Sequence, residues 1–265
     1  MAMASNSMKE AYSPPYLWRL LFTGLSFFLF GLGGVFLTLV GYPLVNLLCR
    51  DPLKKRELVR SLIHNIFRLF VEFMRFTGVL TYSVKHRERL GRPGQMVIAN
   101  HPSLIDVVVL IAFTRNANCV VKESLWHNTF MRGTLRAAGY ISNNASMEMF
   151  DDTVTALKEG QTLIIFPEGT RTIPGEMPKF HRGAAAIALR GAKMITPVVI
   201  RVRPTTLTKA EPWYNIPQRR PNFSFTVGED INPQDFAVNN STPIASRKLD
   251  AYLHSYYAQE LTKNE

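Results

Sequence analysis

The stretch Gln95-Met-Val-Ile-Ala-Asn-His-Pro-Ser-Leu-Ile-Asp106 decides how the chain is organised, because an apolar run ends at Ala99, turns through Asn100 and His101, and meets a proline. A short apolar run bounded by turn residues reads as a buried strand, and proline suits the first position of a helix. The segment is a strand at residues 95–99 feeding a helix at 102–112, with His101 where they join. The same pattern returns at Thr162-Leu-Ile-Ile-Phe-Pro-Glu-Gly-Thr-Arg171, where a second strand runs into a Pro-Glu-Gly turn.

Working outward, β-rich runs alternate with helical stretches from Gly78 onward, which predicts an α/β domain with a mixed sheet flanked by helices. Further strands are expected at 80–84, 119–121, 195–202 and 223–227. Helices are expected at 129–138, 147–159, 182–190 and 244–261, with Ser146 as an N-cap and with Gly160 and Gly191 just past their helices. Ligands in such sheets bind beyond the carboxyl ends of the strands, where both turns lie.

Upstream the composition changes. No residue between Arg19 and Arg50 carries a formal charge, and LLFTGLSFFLFGLGGVFLTLVGYPLVNLLC exceeds the ~20 apolar residues needed to cross a bilayer core. Two shapes fit: a tilted spanning helix ending near Gly41-Tyr42-Pro43, or a hairpin broken at Gly31-Leu32-Gly33-Gly34. Residues 61–76 form a helix with a narrow polar stripe and a wide apolar face, expected to lie in the membrane interface; the alternative is a core-facing helix. The domains are thus a membrane-associated segment at 1–78 (apolar 17–49, amphipathic helix 61–76) and a catalytic-type domain at 79–265. Lys54, Lys55, Arg56 and Arg60 follow the apolar run while only Lys9 and Arg19 precede it, which puts the domain on the cytoplasmic face.

The net charge of +11 calls for an anionic partner. Between Asp51 and Arg92 there are ten Lys or Arg against four Asp or Glu, and basic residues beside an apolar run favour lipid headgroups over nucleic acid. The two cysteines, Cys49 and Cys119, have no disulfide or CxxC spacing.

The turns supply candidate chemistry. Residues five apart in a regular helix point about 140° apart, but a histidine outside the first turn can fold back onto Asp106. The carboxylate would then fix the imidazole tautomer and leave the other nitrogen as a base for a hydroxyl. In the second turn Arg171 offers a planar fork for a phosphate, Thr170 and the amides near Gly169 add donors, and Glu168 can hold a hydroxyl or orient Arg171.

Together and in this order, NHPSLID at 100–106 and FPEGTR at 166–171 resemble the 1-acylglycerol-3-phosphate acyltransferase (lysophospholipid acyltransferase) family with its His-x4-Asp motif. The stretches Lys122 through Ile141, Lys179-Phe-His-Arg-Gly-Ala-Ala185 and Ile195-Thr-Pro-Val-Val199 are similar to its other motifs, and the likeness covers residues 75–230. The resemblance implies a glycerolipid acyltransferase-like fold with N-terminal membrane helices and an apolar acyl tunnel. It implies that a fatty acyl group passes directly from acyl-CoA or acyl-carrier protein to a lysophospholipid hydroxyl, 1-acylglycerol-3-phosphate first. The implied catalytic residues are His101 and Asp106; the implied substrate-binding residues are Glu168, Gly169, Thr170, Arg171 and Lys122. No metal or cofactor is expected, and the partners are membrane lipids, the lysophospholipid and the acyl donor at the inner face of a bacterial membrane. Where the family carries an arginine after Gly-x-Ile, this chain has Ser142-Asn143-Asn144, so the alternative acceptor is another lysolipid or a polyene-type lipid.

Rival chemistries lack their residues. There is no Gly-x-Ser-x-Gly elbow for a serine hydrolase, and His64, His86, His127, His181 and His254 are scattered without ligand spacing. A non-enzymatic membrane-anchored binding protein is the remaining rival.

Overall fold

In the computed structural model residues 14–209 and 211–263 are described; Lys9 and the rest of residues 1–13 of the expected segment 1–78 lie outside them. The chain begins with α1 (Tyr16–Phe36), continues through a π-helical turn at Leu37–Gly41 into α2 (Tyr42–Leu48), and returns along α3 (Pro52–Phe76). Neither expected break occurs. The rod from Tyr16 to Leu48 passes through Gly31–Gly34 as regular helix and through Pro43 without stopping. Proline cannot donate to the carbonyl one turn back, and the wider π turn just before it accommodates that loss.

The rod lies along the rest of the protein. Trp18 Nε1 donates to the Thr77 carbonyl (2.9 Å), Phe30 packs against Phe67 and Phe70 of α3, and a side chain at Gly24 would meet the Trp213 ring. Its other face is bare: Leu17, Leu21 and Phe28 are 75%, 65% and 65% exposed. The rod is long and apolar enough to cross a membrane.

The expected placement of the amphipathic helix is corrected. α3 is longer than 61–76, starting after Asp51, whose carboxylate caps the amides of Leu53 and Lys54. Its apolar face (Val59, Ile63, Val71, Met74) is buried against α4 (Asp106–Phe113), and His64 Nδ1 meets the Ile111 carbonyl at 2.8 Å. Arg60 is likewise withdrawn from any headgroup, donating to the carbonyls of Ala138 and Gly139 and to Gln161.

The sheet comprises β1 (Thr81–Lys85), β2 (Gln95–Ala99), β3 (Ala117–Lys122), β4 (Ile141–Asn143), β5 (Thr162–Ile165), β6 (Met194–Arg203) and β7 (Asn222–Val227), in the order β1-β7-β6-β2-β5-β3-β4. All neighbours are parallel except β6 and β7. β2 is central and wholly buried, so its alternate side chains serve two cores. Val97 and Ala99 face α3 and α4, while Met96 and Ile98 face α6 (Met147–Lys158), α7 (Gly183–Gly191) and α8 (Thr242–Thr262). Helix α5 (Thr129–Ala138) packs under the π turn, where a side chain at Gly133 would collide with Thr38.

Candidate active site

β2 and β5 are in register, with Ile98 opposite Ile165. Three residues beyond that pair stand His101 and Glu168. Their turns are laced together: the His101 amide donates to Glu168 Oε1 (2.9 Å), the Thr172 hydroxyl donates to the same oxygen (2.8 Å), and the Thr172 amide donates to the His101 carbonyl (2.7 Å). Asn100 carries the ladder past the end of β2 with its side chain, giving Nδ2 to the Ile200 carbonyl and taking the Ile200 amide, both at 2.8 Å.

The expected helix start at Pro102 is corrected. Residues 101–105 form an open turn and α4 begins at Asp106. Asp106 Oδ2 accepts the Ser103 amide at 2.7 Å, a local side-chain-to-backbone bond of the kind that competes with a helical start. The same oxygen lies 2.9 Å from His101 Nδ1. The imidazole is therefore held outside the helix, its Nδ1 on the carboxylate, and its ring is stacked on Phe166 with centroids 4.3 Å apart. The His101 side chain is 17% exposed and that of Asp106 is 0% exposed.

Burial pushes the Asp106 carboxyl up, against the pull of His101, the Ser103 amide and the Arg171 charge. Its Oδ1 is buried with no hydrogen-bond partner. Burial also raises Glu168, opposed by the Thr172 hydroxyl and the His101 amide, with Asp106 adding to the rise. A carboxyl whose folded pKa exceeds its unfolded one loses stabilisation as pH climbs through the folded value. Glu168→Gln keeps an oxygen for both donors and removes the buried charge. Its melting temperature is expected to exceed the wild-type value at pH 8 and to equal it at pH 4; a variant that melts below wild type at pH 8 and equals it at pH 4 would show that the charge itself holds the turns together.

The remaining expected site residues divide. Glu168 takes the Thr172 hydroxyl and does not orient Arg171. Arg171 turns away from its expected open fork: one nitrogen donates to the carbonyls of Leu207 (2.9 Å) and Thr208 (2.8 Å). Gly169 (φ 65°) and Thr170 are exposed on the turn. Lys122 is exposed at the end of β3, two strands from β2 in the sheet.

Sequence reasoning missed the strap between β6 and β7, whose carbonyls anchor both turns. Ser103 Oγ donates to Thr206 O (2.9 Å) and the Leu104 amide to Leu207 O (3.1 Å), while Arg19 of α1 reaches Gln218 O. Carbonyl acceptors in a coil leave no side-chain signature. Between strap, α1, α3 and α4 lies an apolar cavity of about 210 Å³, whose walls include Phe27, Phe30, Leu104, Val108 and Leu207.

Known proteins are similar to this chain in sequence and in fold. Residues 81–201, which carry both turns, match the model of the family described as Acyltransferase. The chain is similar to the 1-acyl-sn-glycerol-3-phosphate acyltransferase of Pseudomonas aeruginosa, 26% identical over 149 residues that cover 54% of this chain and 58% of that protein. It is similar to the Saccharomyces cerevisiae protein of the same name, 29% identical over 158 residues covering 56% and 51%. The chain thus spans about half the length of these curated relatives. In fold it is similar to the crystal structure of the 1-acyl-sn-glycerophosphate (LPA) acyltransferase PlsC of Thermotoga maritima, with a TM-score of 0.71 at 21% identity, covering 94% of this chain and 99% of that one. Both turns lie inside the segment that matches the Acyltransferase model, and the likeness to the solved structure is one of fold.

Proposed function

We propose that this chain transfers a fatty acyl group from a thioester, acyl-CoA or acyl-carrier protein, to the free hydroxyl of a lysophospholipid, 1-acylglycerol-3-phosphate before other lysolipids. The observation that carries the reading is the 2.9 Å contact between His101 Nδ1 and a fully buried Asp106. With Nδ1–H donating to the carboxylate, Nε2 is free to take a proton. As the acceptor oxygen attacks the thioester carbonyl, its proton passes to Nε2; when the tetrahedral intermediate collapses, the C–S bond breaks and the imidazolium returns the proton to the leaving sulfur. The acyl group reaches the acceptor without resting on the enzyme, and no cofactor enters the balance. The relatives' names support the acyl acceptor class. The apolar cavity against Leu104 suits the acyl chain. The bare face of α1, together with the basic residues Lys54, Lys55 and Arg56 just after the apolar rod, supports membrane association, with the domain at the cytoplasmic face.

The test is incubation of the purified chain with radiolabelled acyl-CoA and a panel of lysophospholipids. A labelled two-chain lipid is expected, and no lipid product from any acceptor would sink the reading. In the same assay Arg171→Ala is expected to raise the acceptor KM about tenfold, because the turn loses its charge-assisted tie to the strap carbonyls of Leu207 and Thr208. A donor KM that moves instead would reassign that turn to the thioester.

A further inference from the structure

Two polar side chains over the second turn have no task in the scheme above. Asn143 closes β4, in register with Lys122 on β3. Its Nδ2 lies 3.8 Å from the point where a Cβ on Gly169 would stand, and His181 Nε2 lies 3.8 Å from that same point. The two groups are therefore separated by at most twice this distance, a gap that one phosphate or glycerol unit can bridge with hydrogen bonds on both sides. Both side chains are exposed, and neither has a hydrogen-bond partner among the described residues. The gap exists because residue 169 is glycine: a side chain there would be in van der Waals contact with both groups.

The location ties the pair to the reacting centre. The His181 amide donates to Pro167 O (2.8 Å), so His181 rides on the turn that Glu168 laces to His101. The charge balance of this corner is unusual for a phosphate pocket. Two carboxylates, Asp106 and Glu168, are buried behind it, and Arg171 has one guanidinium nitrogen committed to the strap. The side-chain groups nearest Gly169 are an amide and an imidazole, which recognise phosphate oxygens or hydroxyls by hydrogen bonding. A fixed cation would instead favour the doubly charged ester through Coulomb attraction.

Resting on the acyl-transfer reading above, we propose that Asn143 and His181 form, across Gly169, the subsite for the acceptor's headgroup, and that this subsite admits singly charged phosphodiester lysolipids alongside the phosphomonoester. The headgroup phosphate sits between the amide and the imidazole, which leaves the glycerol hydroxyl on the His101 side of the turn. The phosphates of a CoA donor share this chemistry, so the assay must separate donor from acceptor.

The experiment compares kcat/KM for lysophosphatidic acid and lysophosphatidylglycerol, with one acyl-CoA, for the full chain and for Asn143→Arg, Asn143→Ala and His181→Ala. Wild type is expected to use the two acceptors within about tenfold of each other. Asn143→Arg is expected to shift the ratio toward the monoester by about tenfold or more, and the two alanine variants to raise the acceptor KM for both while the donor KM stays in place. Unchanged ratios and acceptor KM values in all three variants overturn the subsite, as does a change confined to the donor KM, which would assign the pair to CoA phosphates. Should the wild-type chain transfer to neither acceptor, the acyl-transfer reading fails while calorimetry still judges the pair. Binding of glycerophosphoglycerol that weakens in both alanine variants supports the subsite, and equal or absent binding in all forms overturns it.

Discussion

His101→Ala is expected to lower kcat by about 10³-fold or more while the protein still folds and associates with lipid. A positioned general base contributes about 10² to 10⁴ in rate, and in the proposed reaction the same imidazole also reprotonates the leaving sulfur. Its backbone, not its ring, makes the contacts to Glu168 and Thr172, so the lacing of the two turns survives the substitution. The measurement is single-turnover transfer from acyl-CoA alongside a melting curve. Turnover within about tenfold of wild type would remove His101 from the mechanism.

Asp106→Asn should cost about 10²-fold or more in kcat, and it isolates one variable. An asparagine there has one oxygen, and the Ser103 amide, at 2.7 Å from Oδ2 in the native structure, selects which way the new side chain faces. The oxygen must turn toward that amide, because the NH2 group would present donor to donor. The oxygen then also meets His101 Nδ1, so tautomer and ring position are preserved and only the negative charge is lost. The new NH2 takes the place of Oδ1, a buried atom already without a partner, so little additional hydrogen bonding is sacrificed. The loss in kcat therefore measures how far the carboxylate charge stabilises the imidazolium. An Asp106→Asn variant with wild-type kcat would mean that Asp106 serves only the turn.

Much of this was legible in the sequence because the relevant strands are short, apolar and bounded. Residues 95–99 were read with their observed limits, and 162–166 ended one residue beyond β5. The Ser146 cap was also readable, since its hydroxyl takes the Met149 amide as the residue type predicts. The errors share one cause, tertiary competition for local groups. Pro102 has the right φ for a helix start, yet the Ser103 amide is claimed by Asp106 and the helix begins later. Residues 61–76 carry the periodicity of an interfacial helix, but periodicity does not say which apolar surface covers the face, and α4 covers it. Ile141-Ser-Asn143 has too few residues to show alternation, so β4 went unread although its last residue is central to the inference above. Arg171 looked like a free fork because its acceptors are backbone carbonyls from a coil 36 and 37 residues away.

The lacing of the two turns has a consequence for how the protein comes into being on the ribosome. The bond between the His101 amide and Glu168 spans 67 residues, and the strap that braces both turns comes later still. Synthesis delivers the apolar rod first, then β2, and only much later the partners that give His101 its setting. A nascent chain can therefore meet lipid through its apolar rod long before the lacing around His101 can close, and the proposed chemistry waits until the strap has emerged.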